Sequence, residues 1–148
     1  MNHSNEQLND LVEIARDGKN FYEHAATKVS DTELKNLFAR LAAIKGDIVL
    51  GLTSEISATG DKPADSGTLV GELSKLYGDL RALAGSKDYA YVAQLEQSED
   101  RFLHAFEDAR KDQRVSPSAI AVLNRLAPEV QQCHELMRTR KLAMKKAA

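Results

Sequence analysis

Between Tyr91 and Asp112 the apolar residues Val92, Leu95, Phe102, Phe106 and Ala109 recur in steps of three and four, and Glu99 fills the step between Leu95 and Phe102. That rhythm is the period of an amphipathic helix, so Glu99 stands on the face that should meet the core. Further along, Ile120, Leu123, Ala127, Val130 and Met137 form a second seam, with His134 in the step between Val130 and Met137. Two polar residues in two apolar seams are the one constellation here with chemical content.

The rest of the chain repeats the helical rhythm. Leu8, Leu11, Ala15, Gly18, Tyr22, Ala25 and Val29 make a seam of about three heptads. Gly18 costs a helix interior about 1 kcal/mol against Ala, which suggests room left for a partner side chain. Tyr22 carries a phenol into the seam, and a buried hydroxyl needs a hydrogen-bond partner. The next stripe is Leu34, Leu37, Phe38, Leu41, Ile44, Ile48 and Leu52. Ser4 to Gln7 and Ser30 to Glu33 read as capping boxes. Gly60 to Gly67 is a linker, and Leu69, Leu73, Leu76, Leu80 and Leu83 follow on one face of a shorter helix. Ser116 and Pro117 read as the cap and first-turn proline of the last helix, and Pro128 should kink it.

These signals predict helices over about 5–29, 31–58, 68–84, 88–112 and 117–145, within one domain covering 1–148. Asn36 to Ala42 aligns with Ala121 to Ala127, and Tyr22 to Ala25 with Phe106 to Ala109, so each half is a helical hairpin. The expected fold is all-α, a ferritin-like four-helix bundle. It is built of two antiparallel helical hairpins and a long crossover that contains the short fifth helix. That helix is also a candidate contact for a homodimer.

Composition narrows the classes. Hydrophobic residues are 43% and charged residues 28% of 148, as in a globular chain. A formal charge of −2 supplies no broad field for nucleic acid or an acidic membrane. The single cysteine, Cys133, excludes an internal disulfide and suits a reducing cytosol. No apolar run approaches the roughly 18 residues of a membrane span, and the polar start has no signal pattern. The expected location is the cytoplasm.

Di-iron carboxylate bundles take a Glu from each of two helices and a Glu-x-x-His pair from each of the other two. The second hairpin offers Glu99 and Gln131-x-x-His134, with Gln131 where a carboxylate would stand. The first hairpin places Ala15 and Val49 at the matching positions. The candidate metal ligands are therefore Glu99, His134 and Gln131, a degenerate set whose donors would suit iron, manganese or zinc. The bland alternative is a buried Glu99–His134 hydrogen bond or ion pair extended to Tyr22, and on that reading no cofactor is expected. His24 and His104 lie off the seams. The basic stretch Arg138, Arg140, Lys141, Lys145 and Lys146 could meet an anion or nucleic acid. No aromatic residue interleaves it, which makes nucleic acid an unlikely partner, and cations at a helix C-terminus need no ligand.

Asp17-Gly18, Tyr22 and Ala25-Ala26 in the first helix, Glu33-Leu34 and Leu37-Phe38 in the second, Glu99-Asp100, Phe106 and Ala109 in the third, and His134 in the fourth form a pattern over most of the chain. On these residues the chain resembles bacterial four-helix-bundle proteins of unknown function in the ferritin-like superfamily. The resemblance implies a ferritin-like fold, a bacterial source and no established activity. The expected role is a non-catalytic structural, stress-related or interaction module. The alternatives are an iron- or manganese-binding redox protein, and an anion or nucleic-acid contact through the basic end.

Overall fold

Each helix starts on a side chain that accepts a free first-turn N–H, and the first two starts differ from the expected caps. In the computed structural model, which describes residues 1–67 and 86–147, α1 spans His3–Lys28, α2 Thr32–Ala58, α3 Lys87–Lys111 and α4 Pro117–Ala147. Asn2, not Ser4, caps α1 by accepting from the Asn5 N–H at 2.8 Å. Ser4 instead accepts the Ser116 N–H at 2.8 Å and ties the start of α1 to the start of α4. Asp31, not Ser30, caps α2. Ser86 caps α3. Ser116 caps α4 with Pro117 in the first position, as the sequence predicts. Pro128 lies inside α4, and the helix continues past it to Ala147. The short fifth helix expected over 68–84 lies outside the described residues.

The end contacts fix the topology. His3 pairs with Asp112 at 2.8 Å and Asn5 donates to Thr59 at 2.7 Å. One end therefore gathers the start of α1, the end of α2, the end of α3 and the start of α4. At the other end the Ser30 N–H donates to Asp88 at 2.9 Å, and Arg140 reaches Glu33 at 3.7 Å. The packed pairs are α1 with α2, α3 with α4, α1 with α3, and α2 with α4. Every packed pair is antiparallel, and α2 and α3 run parallel across the diagonal. The end of α2 and the start of α3 therefore lie at opposite ends of the bundle, about 40 Å apart for helices of this size at 1.5 Å per residue.

The architecture is all-α, with four helices and no strand among the described residues. The core falls into two apolar lobes. One holds Leu8, Leu11, Ile48, Leu52, Phe102, Phe106, Leu123 and Val130. The other holds Tyr22, Ala25, Leu34, Phe38, Leu41, Val92, Leu95 and Met137. Lys45 and Glu99 lie at the junction along α2 and α3, where the side chains of one lobe give way to those of the other. No helix among the described residues is long and apolar enough to cross a membrane.

Candidate functional site: a buried ion pair at mid-bundle

Glu99 is 2% exposed on α3, as its place in the apolar seam predicts. A carboxylate taken from water needs partners for both oxygens, because an unpaired buried charge is costly. Tyr22 on α1 donates its hydroxyl to Oε1 at 2.7 Å. Lys45 on α2 brings its ammonium to 2.8 Å from Oε2. That second contact is ionic, and Oε2 accepts no aligned hydrogen bond. Lys45 is itself 1% exposed, and its Nζ lies 4.0 Å from the centre of the Phe102 ring, over the negative π-face. Gly18 on α1 lies beside the lysine stem: a Cβ there would sit 3.7 Å from Cε. Gly18 therefore faces the Lys45 stem, but at a distance that an alanine would also allow. Tyr22 packs against Phe38 with ring centres 5.9 Å apart.

Cys133 on α4 completes the layer, fully buried as a free thiol. Burial pushes that thiol up to about 12; the Glu99 charge adds to the rise and the Lys45 charge opposes it. Burial also drives the Tyr22 phenol well above its ordinary range, helped by the charge and the hydrogen bond of Glu99. Both groups therefore keep their protons well into the alkaline range, and Tyr22 serves as donor to the carboxylate.

The expected Glu99–His134 pair is not formed. His134 sits at the rim of the α3–α4 seam, with its Nε2 3.3 Å from Oδ1 of Asp100 and its Nδ1 3.9 Å from Glu135. Asp100 is half exposed, and its other oxygen lies 3.6 Å from the exposed His104. Gln131 faces solvent. Of the residues singled out in the sequence, the fold brings Tyr22 and Glu99 together and leaves His134 and Gln131 outside their contacts. Among the described residues, no group of three or more His, Cys, Asp or Glu is placed to hold a metal ion. The donors around Glu99 do not fit one either, since a cation at Oε2 would have to displace the ammonium.

Lys45 is the member of this buried layer that the sequence pattern did not single out. Its signal was present: Leu34, Phe38, Leu41, Lys45, Ile48 and Leu52 keep the three-and-four rhythm without a break. A polar residue held that step in the second helix as Glu99 does in the third.

A family model matches residues 4–112, a span that includes Tyr22, Lys45 and Glu99 and ends before α4. The chain belongs to the family described as a domain of unknown function (DUF2383). No curated protein and no solved structure matches it. The DUF2383 match covers three of the four described helices, and Cys133 and His134 lie beyond it.

Proposed function

We propose that this DUF2383 chain is a ferritin-like bundle that works as a structural or interaction module and not through redox chemistry at a bound metal. The connectivity supports the fold assignment: two antiparallel hairpins, with parallel second and third helices joined end to end, is the one-crossover arrangement. The observation that carries the functional reading is the engagement of Glu99. Both of its oxygens are occupied by groups of the chain itself, Tyr22 and Lys45. A catalytic metal needs ligands with free lone pairs and an open coordination position. Fold alone does not supply activity; the site has to.

The basic end gives little support to an anion site, because Lys141 and Arg140 already face Glu96 and Glu33. A homodimer through the leucine-rich crossover, and a cytoplasmic location, remain part of this proposal on sequence grounds. The test is the metal content of protein purified without chelator, repeated after incubation with ferrous iron, manganese and zinc. The expected result is well below one metal per chain. Stoichiometric metal that is lost in Glu99→Ala would overturn the reading.

A further inference from the structure

We infer that the layer around Glu99 is a built receptor for a primary ammonium group, and that Lys45 is its tethered occupant. The inference rests on the metal-free reading above and deepens it. Two independent features converge on the ammonium. The carboxylate supplies the counter-charge at 2.8 Å. The Phe102 ring supplies a π-face at 4.0 Å. Gly18 borders the alkyl stem, and a Cβ there would make an ordinary 3.7 Å contact with Cε, so the stem passes α1 without crowding. Tyr22 holds the carboxylate from its far side at 2.7 Å, so Oε2 stays turned toward the ammonium.

A counter-charge beside an aromatic face is the pairing by which proteins bind alkylammonium ligands. Here the two apolar lobes enclose them and keep out water, so the charge balance depends on the occupant. The cation that a carboxylate-bearing bundle would otherwise take from solution is supplied by the chain. A tethered cation needs no loading step and is not removed by a chelator.

The experiment removes the tether and keeps the receptor. Lys45→Ala deletes the atoms of an n-propylammonium ion, so n-propylammonium chloride is the probe. Thermal unfolding of the full chain is followed against its concentration, with sodium chloride, tetramethylammonium chloride and 1-propanol as controls at matched ionic strength or molarity. Lys45→Ala should melt below the wild type, and n-propylammonium should raise its Tm progressively, as mass action requires of a ligand bound only to the folded state. The wild type should not respond. A recovery matched by any of the controls, or no recovery in a folded variant, would overturn the inference.

If Lys45→Ala does not fold, Lys45→Met serves. It keeps the stem and loses the charge, and adding Glu99→Gln should raise its Tm because the stranded carboxylate is then gone. A further fall on adding Glu99→Gln would overturn the receptor. Metal uptake by the wild type would sink the proposed function instead, so the two failures are separable.

Discussion

The Lys45 ammonium lies 2.8 Å from Oε2 of Glu99, and each side chain is 2% exposed. One helix of each hairpin is thereby joined across the diagonal of the bundle, with Tyr22 bracing the carboxylate from α1. Such a pair adds little net stability over apolar packing, because desolvation offsets its attraction. Breaking it is another matter, since one charge is left without a partner in the core.

Glu99→Ala should therefore cost about 3–5 kcal/mol, the penalty of stranding a buried charge. His134→Ala should cost about 0–1 kcal/mol in its ionic contact, because its partner Asp100 is 51% exposed. Urea denaturation with an unchanged m-value would measure both. His134 is 8% exposed, so its packing loss adds to the ionic one. A double-mutant cycle with Glu99→Ala separates them: a coupling well above about 1 kcal/mol would return His134 to the Glu99 layer.

The difference between these residues also marks what the sequence could reveal. The seams of α1 and α3 were legible because the apolar steps there admit one reading, and Glu99 fell into the core with them. In α2 the step from Leu41 to Ile48 can pass through Ile44 or through Lys45, and both keep the rhythm. The same ambiguity separates Cys133 from His134 between Val130 and Met137. Hydrophobicity favours Ile44 over Lys45, yet the fold buries Lys45 because Glu99 waits across the bundle. Side-chain charge settles such a step only when the facing helix is known. In α4 the smaller thiol takes the core, and His134 turns aside to Asp100. The diagonal pairing of α2 with α3 comes from topology, which periodicity in one helix does not contain.

Two helical glycines should respond to alanine in opposite ways. At Gly18 a Cβ would meet Lys45 Cε at 3.7 Å, an ordinary contact. Gly18→Ala should stabilise the chain by about 0.5–1 kcal/mol through helix propensity. At Gly51 a Cβ would meet both Cδ atoms of Leu126 at 3.0 Å, which forces the leucine to shift. The overpacking cost of about 1–3 kcal/mol matches or exceeds the propensity gain. Gly51→Ala should melt at or below the wild type while Gly18→Ala melts above it. A loss of stability in Gly18→Ala would mean that the lysine stem has no slack beside α1.

Asp112 should shape the acid limb of stability. Its carboxyl is held well below the ordinary 3.8 by the Arg114 side chain first, then by His3 and the Arg114 N–H. A carboxyl lowered on folding adds stability above its unfolded value and loses it as pH falls through the folded one. The contribution should thus fade below about pH 4, the region of the ordinary carboxyl. Tm measured from pH 5 downward should fall less steeply in Asp112→Asn than in the wild type. Parallel curves would show that the links to Arg114 and His3 do not persist in solution.

The alkaline limb should be governed by the charged layer itself. Cys133 is pushed up to about 12 from an ordinary 9, and Tyr22 well above 10. Both groups must keep their protons in the folded chain, and both release them once unfolded. A group raised on folding contributes stability that is whole below its unfolded value and is lost as pH climbs toward the folded one. Stability should therefore hold to about pH 9 and then decline, by about 1.4 kcal/mol per pH unit for each proton released on unfolding. Cys133→Ala removes one of the two protons and leaves the Tyr22–Glu99 bond in place, so its decline above pH 9 should be shallower by one proton's worth. Urea unfolding at half-unit steps from pH 8 to about 11 would resolve the difference in slope. The same burial predicts that a thiol reagent modifies Cys133 only as fast as the chain opens, with a rate that rises in Glu99→Ala as the layer weakens. Rapid labelling of the native wild type, or identical slopes with and without the thiol, would place Cys133 outside the enclosed layer.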